Sequence, residues 1–167
     1  MYTVGDKVVH PGYGPGVIRD IDRREMMGEP KRYYVIDMQD GGATLMTPVA
    51  KADEVGLRLA ISKTSLKRLF RSLGQSPHRL SEDFKERQAE IEDQLKAGDI
   101  YVTAEVLRDL TWHGQEHNLT KRDTELLQRP EDLIGSEVAL VEGIDVKAAI
   151  EQLQATLAEA VRQTSPE

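Results

Sequence analysis

The spacing of apolar residues changes its period near Pro48, and this change restricts the chain to a β part followed by a helical part. Before Pro48, "DKVVHP", "PGVIRDIDRREM", "RYYVIDM" and "ATLMTP" are short runs rich in Val, Ile, Tyr and Thr, separated by turns containing Gly or Pro. Gly12, Gly14 and Gly16, set around Pro15, provide the bends and positive-φ positions of a sharp corner. "MGEP" and "QDGG" read as hairpin turns. A lone pair of strands would be marginally stable, so four or five short strands with a strongly bent connection predict a small SH3- or Tudor-like barrel rather than a flat hairpin pair.

After Pro48 the period moves toward 3.6. Leu66, Leu69, Phe70 and Leu73 form one apolar stripe, and Gly74 ends that helix. Ser81 is expected to cap a second helix, with acids in its first turn, that runs to about Ala97. Val102, Val106, Leu107 and Leu110 mark a third, Thr120 opens a fourth, and Val146, Ile150, Leu153, Leu157 and Val161 line the last. The terminal "RQTSPE" reads as a frayed tail. The expected class is α+β: a small β barrel over residues 1–50 and an all-helical bundle over 51–167.

The 167 residues are enough for two small domains that share an interface. The absence of Cys removes disulfides, thiolate metal sites and thiol nucleophiles, and fits a reducing compartment. "MYTVGDKVV" lacks the features of a secretory signal, and no run reaches the roughly 18 apolar residues of a membrane helix, so the expectation is a cytoplasmic protein with no membrane partner. Net charge is −7, which taken alone argues against nucleic-acid binding. Its distribution is uneven. Residues 63–87 hold seven bases and three acids, whereas residues 88–167 hold seven bases and seventeen acids, so any contact with phosphate must be local.

Catalytic patterns are few. "GYGPG" lacks the lysine of a phosphate-binding loop and is turn chemistry. "HGQEH" matches an inverted metalloprotease pattern at His113 and His117, but has no evident third ligand, and Gly114 weakens the helix there; both histidines are expected to be solvated. No catalytic residue, metal or cofactor is assigned. Trp112 falls at the edge of an apolar stripe and is expected to be partly buried in the core. Phe84 carries more information. It stands in "RLSEDFKERQ" with Arg79, Lys85 and Arg87 nearby, and an aromatic ring among bases can stack on or wedge between nucleobases. Its spacing to Ile91 and Leu95, by seven and then four, is equally that of a buried helix face.

The opening "VGDKVVHPGYGPGVI", then "GE", "YYV" and "VGLR", and later "LKAGD" and "AEVLRDL", resemble the CarD/CdnL family of bacterial transcription factors over about residues 2–142. The resemblance implies a Tudor-like domain that binds the β subunit of RNA polymerase. It also implies a helical domain that touches promoter DNA at the upstream edge of the bubble, with little sequence dependence. By position, polymerase contacts fall on Arg24, Met26, Leu45 and Met46, and DNA contacts on Phe84, Lys85, Arg87 and Arg79. Met46 stands where the family often has an arginine, and Phe84 where it commonly has a tryptophan wedge; Glu86 and Ala89 replace family bases. The expected protein is a monomeric, non-enzymatic regulator that stabilises or tunes the open complex, associated with the nucleoid through the polymerase. The alternative is a polymerase-binding adaptor that has lost the DNA contact.

Overall fold

The computed structural model describes residues 1–39 and 41–164. Its N-terminal part is one antiparallel sheet built from β1 (Lys7–His10), β2 (Gly14–Met26), β3 (Glu29–Met38), β4 (Thr44–Pro48) and β5 (Arg58–Leu59), in the order β4-β3-β2-β1-β5. Four strands coincide with the four apolar runs, because alternation places Val8, Ile18, Tyr34 and Ile36 on one face, where they form the sheet's core. The five strongly bent strands are the small Tudor-like β module expected; among the described residues β4 and β5 do not pair, so both keep a strand edge free.

Of the three glycines at the first corner only Gly14 has a positive φ, +85°. Gly16 is needed for space: a Cβ there would lie 2.7 Å from the Asp37 carbonyl oxygen, against the neighbouring strand. The register of β2 against β3 shifts between Ile18 and Asp20, a bulge that bends the strand and increases its twist. Past this point β2 and β3 continue as a two-stranded ribbon, turned at Met27 and Gly28, both at positive φ (56° and 81°). Two such residues are the requirement of the tight hairpin turn expected at "MGEP". The "QDGG" connection includes Asp40, which lies outside the described residues.

The sheet runs past the division expected after residue 50. A short 3₁₀ turn, Val49–Lys51, leads to β5, whose Arg58 and Leu59 pair with Val9 and Val8 of β1, while Ala52 and Leu57 complete the sheet's core. Two residues are too few to show a period, which is why this strand was not legible.

Five helices follow: α1 (Lys63–Leu73), α2 (Phe84–Lys96), α3 (Ile100–Glu116), α4 (Lys121–Glu142) and α5 (Val146–Thr164). The sequence stripes are their buried faces. Leu66, Leu69 and Leu73 of α1 meet Leu107, Val138 and Leu153 in the main helical core; Ile91 and Leu95 of α2 meet Val106, Leu110 and Leu126 in a second one. Arg162, Gln163 and Thr164 continue α5, and the rest of the expected tail lies outside the described residues. No helix among the described residues is long and apolar enough to cross a membrane.

Helix α2 begins later than expected. Asp83 caps it, its carboxylate accepting from the Lys85 and Glu86 N–H groups at 2.9 and 3.1 Å, while Ser81 Oγ accepts from Asp83 N–H outside the helix. A carboxylate is the stronger acceptor for these unpaired donors. Phe84 is thereby the first helical residue.

Two ion pairs between distant segments, each with a buried carboxylate, tie the assembly together. Glu137 of α4 is 2% exposed and accepts from Arg58 Nη1 and Nη2 at 2.7 and 2.9 Å and from the Ile61 N–H at 2.9 Å. This fastens the last strand of the sheet to the helices. Lys7 Nζ adds a contact to the Val141 carbonyl at 3.4 Å. The second pair joins Arg87 to Asp123, with Nε and Nη2 donating to the two carboxylate oxygens at 3.1 and 2.7 Å. Nη1 of the same guanidinium donates to the Ser81 and Glu82 carbonyls, so the segment leading into α2 is held as well.

Removing one partner from such a pair leaves a buried charge uncompensated, at a typical cost of about 3–5 kcal/mol. Arg58→Ala, which strands the buried Glu137 carboxylate, is therefore expected to lower unfolding free energy by about that amount in a urea titration, and Arg58→Ala with Glu137→Ala to cost less than the sum of the two. Additive losses would show that the pair is not coupled. Burial alone would raise the Asp123 carboxyl pKa, but the hydrogen bonds from Arg87, the Thr120 N–H and Gln88 outweigh it and hold that pKa far below the usual carboxylate range. Its contribution to stability is therefore complete above the unfolded value of about 4 and is lost as pH falls below it. Asp123→Asn should flatten the acid limb of a stability-versus-pH curve; an acid limb of unchanged slope would contradict the assignment.

Candidate functional site

Two surfaces carry the residues singled out from the sequence, one on the sheet and one at the start of α2. On the sheet, β4 pairs only with β3, leaving its outer backbone edge free of a strand among the described residues. An edge of this kind is a template for strand addition by a partner. Met46 and Leu45 lie opposite Val35 and Ile36 and point to opposite faces of the sheet. Leu45 packs against the sheet's core, so its side chain is half-buried in support of the edge. Met46 is half-buried on the other face.

Arg24 and Met26 are on the ribbon beyond the end of β4. Arg24 pairs across from Lys31, four residues before Val35 and thus about 14 Å from Met46 along the strand direction. Both are exposed. The Arg24 guanidinium lies 2.9 Å from the Asp22 carboxylate, a surface pair that leaves most of its donors free, and the Tyr33 hydroxyl donates to Met26 Sδ. At the ribbon's tip Met27 is fully exposed at φ 56°, a conformation unfavourable for a side chain with a Cβ. The tip thus presents two adjacent methionines, flanked by Arg23, Arg24, Lys31 and Arg32.

At the start of α2 the ring of Phe84 is 51% exposed. The spacing that relates it to Ile91 and Leu95 is real, since both are buried, but Phe84 lies at the end of the helix, beyond the groove that covers them. Lys85 and Arg79 are exposed and form no ion pair among the described residues. Arg87 is a correction. Expected to face DNA, it is 3% exposed, with its donors committed to Asp123, Ser81 and Glu82. Its place four residues before Ile91, on the same face, was the available sequence signal. Its effect is to position Phe84, not to meet phosphate.

The histidines of "HGQEH" also differ from expectation. Helix α3 continues through Gly114 to Glu116, and His113, which follows Val106 by seven and Leu110 by three, falls on the buried face at 8% exposure. Its ring stacks on that of His117, with centroids 4.4 Å apart. Burial, reinforced by the Arg87 charge and by His117, lowers the His113 pKa and favours its neutral form. These rings, with Pro77, Arg79, Asp109 and Trp112, line a cavity of about 360 Å³. Trp112 is half-buried there, and its Nε1 and the His117 Nδ1 are buried without a hydrogen-bond partner among the described residues. Among the described residues no three His, Cys, Asp or Glu side chains are grouped to hold a metal ion.

Residues 2–61 match the CarD-like/TRCF RID domain and residues 68–154 match the CarD C-terminal domain. A Bacillus subtilis (strain 168) protein named "Putative transcription factor YdeB" is 31% identical over 149 residues, 88% of this chain and 96% of that protein. Among solved structures, the solution structure of the 72-residue N-terminal domain of Myxococcus xanthus CarD aligns at 30% identity and a TM-score of 0.31, over 35% of this chain and 79% of that one. The CdnLNt structure from the same organism aligns at 36% identity and a TM-score of 0.33, over 38% of this chain and 89% of that one. The two matched regions follow one another as the sheet and the helices do, and the chain belongs to the CarD/CdnL family.

Proposed function

We propose that this protein is a transcription regulator that docks on the β subunit of RNA polymerase and contacts promoter DNA at the upstream edge of the bubble, tuning the lifetime of the open complex. The observation that carries the reading is the half-exposed ring of Phe84, at a helix start pinned by the Arg87–Asp123 pair and flanked by the free bases Lys85 and Arg79. A flat ring held in this way inserts between base steps without losing much conformational freedom of its own. Docking is assigned to the β4 edge, with Met46 on it, and to the ribbon carrying Arg24 and Met26; Leu45 acts from below by supporting the edge. In this reading residues 1–61 are the polymerase-binding module and the helices the DNA-contacting one.

No catalytic step is required. Binding the open state better than the closed one by about 1.4 kcal/mol shifts that equilibrium tenfold, and polymerase docking supplies the local concentration that a weak DNA contact needs. The protein then acts as a monomer in the bacterial cytoplasm, reaching the nucleoid through the polymerase. The second reading, an adaptor without DNA contact, draws on the burial of Arg87 and on Glu86 and Ala89, which thin the basic surface around Phe84.

The lifetime of open complexes formed by the cognate polymerase separates the two. Wild type is expected to change it several-fold and Phe84→Ala to return it to the value without protein; equal effects of both would leave the adaptor. Arg24→Glu combined with Met46→Asp is expected to weaken retention on immobilised polymerase at least tenfold while leaving the melting temperature in place. Undiminished retention would remove the edge and ribbon from the docking surface.

A further inference from the structure

Every charged residue on the solvent face of α1 is a base. With Leu66, Leu69 and Leu73 turned into the core, the exposed arc of the helix holds Lys63, Thr64, Lys67, Arg68 and Arg71, and no acid occurs anywhere from residue 63 to residue 81. Arg68 is occupied over the ring of Tyr101, at 4.7 Å from its centroid. Lys63, Lys67 and Arg71, spaced by four, form a stripe about 12 Å long on one side of the helix. Among the described residues none of the three side chains makes an ion pair or hydrogen bond. Surface bases in an acidic protein ordinarily find acidic neighbours, and residues 88–167 supply seventeen acids, so a stripe kept free of them is a concentrated positive field.

The segment that links the stripe to the start of α2 is fixed. Arg108 donates to the Ser72 carbonyl at 3.2 Å, and Asp109 accepts from the His78 N–H at 3.0 Å, which pins the chain between α1 and α2 against α3. Arg79 lies on that segment, between Arg71 and Lys85. We propose that Lys63, Lys67 and Arg71 form a second nucleic-acid contact that grips the phosphate backbone of duplex DNA beside the site of the Phe84 wedge. This rests on the DNA-contact reading above and extends it from one ring to an electrostatic track. Duplex DNA is the fitting occupant because its phosphates present dense negative charge along a line, and flexible lysine stems spaced along a helix meet such a line without sequence preference.

The test is the salt dependence of binding of the full chain to a fluorescein-labelled promoter duplex, followed by anisotropy. Loss of three phosphate contacts is expected to reduce the slope of log K against log salt by about 2.7 in Lys63→Gln/Lys67→Gln/Arg71→Gln. Lys63→Arg/Lys67→Arg/Arg71→Lys should keep the wild-type slope, and Phe84→Ala should keep it while losing the open-complex effect. A wild-type slope in the glutamine variant overturns the proposal and leaves the Phe84 reading standing. Glutamine substitutions that weaken retention on polymerase without DNA, while leaving duplex binding unchanged, overturn it in favour of an acidic protein surface. Absence of any salt-dependent duplex binding by wild type overturns the proposal, while the Phe84 reading stands or falls on the open-complex lifetime.

Discussion

The carboxylate of Glu137 is the constraint on which the arrangement of this molecule depends. A buried acid with three donors aimed at it tolerates little displacement, because each lost hydrogen bond leaves charge unpaired in a medium that solvates it poorly. Two donors come from Arg58 on the last strand of the sheet and one from Ile61 at the entry to the helices, so the same group defines where the sheet ends and where the bundle begins. Two small modules joined by a short connection would ordinarily be expected to move against each other. Here the connection is itself the contact, and a surface on the sheet is held in a set relation to a surface on the helices. For the proposed function, in which a polymerase and DNA are reached together, this is an advantage, since the second contact costs less when its geometry is set by the first.

The Arg87–Asp123 pair repeats the device at smaller scale. It removes a base from the surface and uses it to lock the carbonyls of Ser81 and Glu82 ahead of α2, so that the Asp83 cap and Phe84 occupy one place. The charge missing there reappears on α1, where no acid neutralises Lys63, Lys67 and Arg71. Counting bases in sequence near an aromatic residue therefore misplaces the basic surface, because it treats a structural guanidinium and a solvated one alike.

Much of the fold was legible because hydrophobic periodicity is a local property. The runs ending at His10, Met26, Met38 and Pro48 alternate and are strands; the stripes through Leu66, Val106 and Leu153 repeat at helical spacing and are helices. What escaped notice was short or competing. β5 has two residues and exists because β1 offers it an edge. The start of α2 shifted from Ser81 to Asp83 because the Asp83 carboxylate takes the Lys85 and Glu86 N–H groups of the first turn, while Ser81 Oγ takes only the Asp83 N–H before it. Gly114 did not end α3, because the helix carrying it is packed along its length and tertiary contacts outweigh about 1 kcal/mol of propensity.

By itself the sequence determined the α+β class, the order of the elements, the family and the pairing of an aromatic residue with a basic segment, all of which rest on residue type and spacing along the chain. Only the tertiary structure decided which side chains remain available. Arg87 and His113 are buried because their helix faces meet partners from distant segments, Phe84 is half-exposed because its helix outruns the groove that covers Ile91, and the edge of β4 is open because no other strand reaches it. Availability depends on what lies across space from a residue, and one-dimensional spacing carries that information only where both partners share an element.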